Sequence, residues 1–137
     1  MFDLPNLTIQ VESPNSAQDV SDLVALCCED TGTEEELYAP NTEFIVARLD
    51  GRPVGCIALM DRVRFAEARR LFVIEEVRGN GIGAALVAAM EAAARDLGLR
   101  QVRLNSTLST QHARRTFQRS GFQVAMTSSA DWLEKSL

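Results

Sequence analysis

The heptapeptide VRGNGIG, residues 77–83, places three glycines between an apolar stretch that ends at Ile74 and an amphipathic pattern that begins at Ile82. The apolar stretch is typical of a strand and the following pattern of a helix. The first turn of a helix has unpaired N–H groups and a partial positive charge, and glycines let a ligand reach them. The segment therefore predicts a phosphate or diphosphate site, with Arg78 as an additional cation.

Two common phosphate-binding patterns fit this segment poorly. A Walker loop requires Lys and then Ser or Thr after its last glycine, whereas two alanines follow Gly83. The dinucleotide fingerprint matches at Gly79, Gly81 and Ala84, but the acidic residue expected about 20 residues later falls near Asn105. The 54 residues after Gly83 are also too few for a full dinucleotide domain. A tight strand-to-helix turn without a ligand is the structural alternative.

The rest of the chain predicts a mixed sheet with helices. Periodicity and turn residues indicate the order β-α-α-β-β-β-α-β-α-β-β, with a bulge near Arg69 and Arg70. The predicted strands are 7–12, 43–49, 53–60, 63–74, 101–105, 122–127 and 131–133, and the predicted helices are 17–29, 34–38, 81–97 and 110–120. Consecutive hairpins precede one β-α-β unit, so the fold class is α/β in the mixed, α+β sense, with a mostly antiparallel sheet.

Composition indicates an ordinary soluble domain. The 137 residues suit a single domain over 1–137, with 46% apolar and 24% charged residues. We find neither a membrane-spanning apolar run nor a signal-peptide pattern, so we expect a cytoplasmic protein without membrane partners. Cys27, Cys28 and Cys56 lack CxxC spacing and are interpreted as reduced thiols, and His112 is the sole histidine, which argues against a metal site.

Charge is distributed unevenly along the chain. Residues 1–50 carry eleven acidic side chains and one basic one, a net charge of −10, whereas residues 51–137 carry eight and thirteen, a net of +5. The overall charge of −5 disfavours nucleic acid as a partner. The basic part could hold an anionic ligand while the acidic part attracts a cation, or both could be solvated surfaces.

Three stretches resemble the GNAT family of N-acetyltransferases. AEARRLFV at 66–73, followed by RGNGIG at 78–83, is similar to the family's motif A, whose R/Q-x-x-G-x-G/A signature is matched by Arg78, Gly81 and Gly83. DGRPVG at 50–55 resembles the hairpin of its second and third strands, and the AxxxFxxxGF pattern at 113–122 resembles motif B. The resemblance extends from Leu7 to about Leu133.

The resemblance implies acetyl-coenzyme A as the co-substrate. Backbone N–H groups of the motif A loop would bind the coenzyme's diphosphate; they belong to Arg78, Gly79, Asn80, Gly81, Ile82, Gly83 and Ala84. The exposed backbone of Leu71, Phe72 and Val73 would pair with the pantetheine arm. The family's fourth and fifth strands splay apart, with the thioester between them, and its members often form homodimers. For Arg69 and Arg70 a solvated strand end is an alternative to phosphate binding.

Acyl transfer to an amine requires a neutral amine and a stabilised oxyanion. An N–H of residues 71–73 would stabilise the oxyanion. Glu67, on the same strand, is the predicted general base, acting directly or through water; an exposed strand glutamate is the alternative.

The general acid is where the sequence departs from the family. The family's usual motif B tyrosine is replaced by Phe117, and the only tyrosine of the chain is Tyr38. The thiolate is therefore expected to take its proton from water, from the substrate ammonium or from Tyr38. Thr110 stands at the position of a frequent asparagine, and Ser106, Thr107 and His112 are further substitutes, although an exposed helix position is the alternative for His112. Phe117 also keeps a coenzyme A-binding sensor or partner module without catalysis open.

The acceptor is predicted to be a cationic primary amine. Acidic residues cluster before the second strand, and clustered carboxylates attract cations; they are Glu29, Asp30, Glu34, Glu35 and Glu36. A polyamine, an aminoglycoside-like compound, a basic peptide, or a protein N-terminus or lysine would fit this charge.

Overall fold

The structure, a computed structural model, describes residues 6–31, 35–106, 109–125 and 131–137, and their side chains except those of 28–31, 35 and 36. Its strands are β1 (Leu7–Val11), β2 (Thr42–Leu49), β3 (Arg52–Asp61), β4 (Ala66–Val73), β5 (Gln101–Asn105), β6 (Gln123–Val124) and β7 (Trp132–Ser136). Its α-helices are α1 (Gln18–Thr31), α2 (Ile82–Asp96) and α3 (Gln111–Arg119), with single 3₁₀ turns at Glu35–Tyr38 and Glu75–Val77. In the described ranges, no helix has the length and apolar character that crossing a bilayer requires.

The seven strands form one sheet in the order β1-β2-β3-β4-β5-β7-β6. Every neighbouring pair is antiparallel except β4 and β5, which run parallel. That parallel ladder pairs Ala66 with Val102 and Glu67 with Arg103, and β4 then continues to Val73 without further pairing to β5 in the described strands. The two central strands therefore splay apart toward the carboxyl end of β4, and the predicted mixed, mostly antiparallel fold with splayed central strands is confirmed.

A bulge interrupts β4 where the sequence predicts one. Arg70 adopts a φ of 62°, and the pairing register between β3 and β4 shifts between Cys56 and Ala58. The Arg70 carbonyl accepts thiol hydrogen bonds from Cys56 at 3.4 Å and from Cys27 at 3.8 Å. The two buried thiols thus contact the bulge, which supports their interpretation as free cysteines of the core.

Helices α1 and α2 cover opposite faces of the sheet. A side chain at Gly55 of β3 would meet Leu86 of α2, whereas the next residue, Cys56, contacts the same carbonyl as Cys27 of α1. Successive side chains of a strand point to opposite faces, so the two helices lie on different sides. Buried side chains of α1, α2 and the sheet belong to one apolar core, which also includes Phe117 of α3.

The predicted bounds of three strands are wrong by more than one residue. The strand predicted at 63–74 begins at Ala66, because the Asp61 carboxylate accepts the Val63 N–H at 2.8 Å and holds Val63 in a turn with a φ of 74°. This Asx-type turn outweighs the strand propensity of valine. The strand predicted at 122–127 is described as β6 over two residues, with 126–127 outside the described residues, and β7 continues past the predicted end at 133 because it pairs with all of β5.

Candidate active site

The connection from β4 to α2 depends on left-handed glycines. After Val73 the chain makes the 3₁₀ turn, and Gly79 and Gly81 then adopt φ angles of 84° and 81°. L-residues reach this region at a cost of about 1–2 kcal/mol each. The two glycines therefore let the backbone reverse into α2 without side chains over the loop.

The loop presents a series of unpaired backbone donors. The first backbone hydrogen bond into α2 joins the Ala85 N–H to the Gly81 carbonyl at 3.0 Å, and no side chain caps the helix start. Among the described residues, the N–H groups from Gly79 to Ala84 have no hydrogen-bond acceptor. The predicted donor Arg78 differs, because its N–H is bonded to the Glu75 carbonyl at 3.2 Å. The donor set thus begins one residue later than the sequence predicts.

The Arg78 side chain is fixed at the end of β4. Its Nε donates to the Val73 carbonyl at 2.7 Å, and its guanidinium lies 5.7 Å from the centre of the Phe72 ring. The predicted cation therefore stands beside the amide series, held by a hydrogen bond and a cation–π contact.

A cavity of about 500 Å³ opens over these donors, between the start of α2 and one side of α3. Gly83 allows α3 to approach closely, since a Cβ there would lie 3.2 Å from Cγ2 of Thr116. The lining residues are Val73, Val77, Arg78, Gly79, Gly81, Ile82, Gly83, Ala84, His112, Arg115, Thr116, Arg119 and Ser120. The cavity combines backbone donors with cationic side chains, which is the chemistry that an anion requires.

His112 reports the positive field in this cavity. Partial desolvation lowers the pKa of its imidazole below 6.5, and the nearby charges of Arg78, Arg119 and Arg115 lower it further. Its side chain is exposed, as the alternative interpretation predicts, yet it lines the cavity. Cations of both the loop and α3 therefore disfavour protonation of this one imidazole.

The edge of β4 toward β5 is open beside the cavity. On its other side, Phe72 pairs with Cys56 and Val73 with Gly55 of β3. Leu71 and Val73 are buried and Phe72 is half-buried, so their side chains are fixed in the core while one backbone edge lacks a neighbouring strand in the described sheet. An extended chain could add to this edge in the manner of a strand.

Glu67 lies at the closed end of the splay and is buried, with 4% of its surface exposed. Its Oε1 accepts from Arg62 Nε at 2.9 Å and its Oε2 from Arg69 Nε at 2.6 Å. The alternative of an exposed strand glutamate is therefore wrong. A carboxylate has about four lone-pair sites, so these two bonds leave capacity for a water or an amine.

The candidates for general acid are distributed over different parts of the molecule. Tyr38 is half exposed in a groove formed with β1 and β2 that shares no described residue with the anion cavity. Phe117 is buried, with its ring 5.1 Å from that of Phe122. The Ser106 hydroxyl donates to the Asp131 carbonyl, and Thr110 caps α3 by accepting from the Ala113 N–H.

Two other predictions concern arginines and acidic residues. Arg69 is bonded to Glu67 and Arg70 is buried, so the solvated-strand-end alternative is wrong for both, and neither lines the anion cavity. Thr107 and the five acidic residues of the acceptor prediction lie outside the described side chains.

Comparison with known proteins decides the family. The sequence profile of the Acetyltransferase (GNAT) family matches residues 14–122. The chain belongs to the GNAT acetyltransferase family. An IAA acetyltransferase from Azospirillum brasilense is 30% identical, in an alignment that covers 87% of this chain and 86% of the relative.

Two solved structures share the fold of this GNAT protein. A GNAT family acetyltransferase from Elizabethkingia anophelis with acetyl-CoA bound has a TM-score of 0.77 at 16% identity, covering 97% of this chain and 99% of its own. An aminoglycoside 6'-N-acetyltransferase complexed with coenzyme A has a TM-score of 0.75 at 19% identity, covering 94% and 96%. The predicted family, its fold and an acyltransferase with acetyl-coenzyme A as co-substrate are confirmed.

The sequence analysis does not identify the two arginines that α3 contributes to the cavity of this GNAT protein. Arg115 and Arg119 lie on the polar side of α3, opposite the buried Ala113 and Phe117. Their spacing of four residues was a signal, because such residues are neighbours on one helix face. The sequence does not reveal that this face turns toward the motif A loop.

Proposed function

We propose that the protein transfers the acetyl group of acetyl-coenzyme A to a primary amine and binds the coenzyme's diphosphate at the N–H groups of residues 79–84. The observation that carries the proposal is the run of unpaired donors from Gly79 to Ala84 beneath the cavity, with Arg78 beside them. The helix dipole and a permanent cation favour the same charge. The first test is binding of acetyl-coenzyme A by calorimetry, which the proposal predicts and a failure to bind would contradict.

The open edge of β4 is the proposed path for the pantetheine arm. Backbone groups at Leu71, Phe72 and Val73 supply hydrogen bonds there, and an N–H of this segment stabilises the developing oxyanion. Pairing of β4 with β5 ends at Glu67, so the cleft narrows toward that residue. The thioester of a bound coenzyme would therefore approach the end of the splay where Glu67 lies.

Glu67 is the proposed general base for the acceptor ammonium. It must take a proton from an amine whose ordinary pKa is about 10.4, directly or through a water. Arg62 and Arg69 keep the carboxylate in one orientation through charge-assisted hydrogen bonds. This arrangement fixes the carboxylate oxygens of Glu67 at the closed end of the cleft.

Replacing Glu67 with Gln separates this role from a purely structural one. We expect kcat/KM for the amine to fall about 100-fold, because general base catalysis contributes about 10²–10⁴-fold. The measurement is kcat/KM for the amine by thiol release.

Arg62→Gln is the matched control, since it removes one ion pair and leaves the carboxylate. A Glu67→Gln variant that retains the wild-type kcat/KM for the amine and loses only stability would show that Glu67 is structural. The loss of stability itself is expected, because the change leaves two partly buried guanidinium groups without their anion.

Tyr38 is the proposed source of the proton for the departing thiolate, with water or the substrate ammonium as other sources. It is the single tyrosine of the chain, and Phe117 has no proton to give. Tyr38→Phe should lower kcat for the amine more than it lowers coenzyme affinity. Unchanged kcat would remove Tyr38 from the mechanism.

The acceptor is proposed to be cationic, on the basis of the net charge of −10 in residues 1–50. An aminoglycoside and IAA are the compounds in the names of the two similar enzymes, and both belong in the acceptor panel. Thiol release with polyamines, aminoglycosides, basic peptides, IAA and neutral amines tests the class. Faster turnover of neutral than of cationic amines would contradict the proposal.

A second candidate function is coenzyme A binding without catalysis, as a sensor or partner module. The buried Phe117 at the family's tyrosine position favours it. Coenzyme A at 100 times its dissociation constant stabilises a protein by about 2.7 kcal/mol, so both candidates predict a thermal shift. Thiol release with the amine panel distinguishes them, because a silent module would release none.

We further propose a cytoplasmic location and a homodimer, with one acetyltransferase domain over 1–137. In the described part of the chain, the short strand β6 forms one edge of the sheet, and a second copy of the protein could pair with this edge. Light scattering tests the dimer, and a monomer at micromolar concentration would contradict it.

His112 provides a spectroscopic test of the anion cavity. Its folded pKa lies below 6.5, so the unfolded chain binds this proton more readily, and its contribution to stability is lost as the pH falls below 6.5. Inorganic pyrophosphate in the cavity should raise this pKa, because an anion stabilises the imidazolium. Because His112 is the only histidine of the chain, its ring signals can be titrated by NMR with and without pyrophosphate. An unchanged pKa at saturating pyrophosphate would place the anion elsewhere.

A further inference from the structure

The anion cavity contains more positive charge than one diphosphate requires. Beyond the loop donors and Arg78, α3 contributes Arg115 and Arg119 to its lining. Within the described residues neither guanidinium has a carboxylate partner, whereas Arg48, Arg62 and Arg69 all do. Two exposed arginines without anionic partners at the wall of an anion cavity indicate a second anionic group in the ligand.

The geometry places these arginines on the helix that packs against the start of α2, in the lining of the same cavity as the loop donors. Gly83 of the loop is in close contact with Thr116, which lies next to Arg115 and three residues before Arg119. Residues three or four apart on a helix have Cβ atoms about 5–6 Å apart. Besides desolvation, the charges of Arg78, Arg119 and Arg115 all lower the pKa of His112, so these guanidinium groups act on the same imidazole.

Coenzyme A carries two separate anionic groups: the diphosphate, and a phosphate on the 3′-oxygen of its ribose. We propose that Arg115 and Arg119 form a subsite for the 3′-phosphate, so that the protein selects coenzyme A over 3′-dephospho-coenzyme A. This inference rests on the proposed coenzyme function of the same cavity. Arginine suits the role because its planar guanidinium donates two hydrogen bonds to a phosphate.

Specific recognition must be distinguished from a general positive field. If the arginines supply only a general positive field, their removal should weaken the binding of every anionic ligand. If they form a subsite, their removal should weaken the binding only of ligands that carry the 3′-phosphate. A double-mutant cycle between protein and ligand makes this distinction.

The experiment measures the dissociation constants of coenzyme A and 3′-dephospho-coenzyme A by calorimetry at low salt. Wild type should bind coenzyme A about 10- to 100-fold more tightly, the range of a charge-assisted hydrogen bond. The Arg115→Ala/Arg119→Ala variant should lose this preference and keep its affinity for the dephospho ligand. The control Arg95→Ala/Arg100→Ala, which removes two arginines outside the cavity, should behave as wild type.

Two outcomes would overturn the subsite. One is equal affinity of wild type for the two ligands, and the other is an equal loss for both ligands in the arginine variant. If wild type binds neither ligand, the proposed coenzyme function fails as well. Failure of the subsite alone is therefore distinguishable from failure of the proposed function.

Discussion

Gly81→Asp should reduce the affinity for acetyl-coenzyme A at least about 100-fold, which corresponds to about 2.7 kcal/mol. Gly81 precedes the first turn of α2 with a φ of 81°, and no side chain caps the donors there. A carboxylate at this position adds negative charge beside the proposed diphosphate and competes with it for the N–H groups. Isothermal calorimetry measures the affinity, and thermal unfolding without ligand verifies that the variant is folded.

Gly81→Asn is the matched control. Asparagine has nearly the shape of aspartate and accepts the same left-handed backbone at a similar cost, but it carries no charge. We expect it to retain most of the affinity. If Gly81→Asp binds acetyl-coenzyme A as tightly as Gly81→Asn, the diphosphate does not lie at this loop.

Gly55→Val should lower the free energy of unfolding by about 3 kcal/mol, the upper part of the usual range for overpacking. A Cβ at Gly55 would lie 2.9 Å from the Phe72 carbonyl oxygen and 3.1 Å from Cδ1 of Leu86. The backbone oxygen cannot move without disturbing the β3–β4 ladder, so the strand or α2 must shift. Denaturant unfolding measures the loss, and coenzyme affinity should fall as well, because α2 carries the donor loop.

Gly51→Ala is the control for Gly55. Gly51 lies in the exposed β2–β3 turn with a φ of 81° and has open space around its Cα, so only backbone strain applies. That strain costs about 1 kcal/mol and should not change coenzyme affinity. A Gly55→Val variant whose free energy of unfolding lies within about 1 kcal/mol of wild type would show that α2 packs less tightly on β3 than the 3.1 Å approach of Leu86 implies.

The sequence predicts local features of this protein well. Three glycines before an amphipathic run predicted the loop, and the bulge near Arg70 was predicted from a break in the strand pattern. Both depend on the backbone preferences of adjacent residues, which a single sequence displays directly. Only the family resemblance implies the splay of β4 from β5, because the splay depends on which strands are neighbours in the sheet.

Features that depend on contacts between distant segments do not follow from the sequence. Arg115 and Arg119 of α3, for example, line the cavity together with Gly81 of the motif A loop. In the sequence Gly55 is only part of a hairpin pattern, although its lack of a side chain lets Leu86 of α2 approach β3. Neither charge nor periodicity reveals which helix will lie over which residue.

The most direct test of the central claim is a crystal structure of the protein with acetyl-coenzyme A. The claim predicts diphosphate oxygens about 2.7–3.2 Å from backbone nitrogens within residues 79–84, and a pantetheine chain along the open edge of β4. A coenzyme bound in another groove, or a diphosphate held by side chains alone, would contradict it.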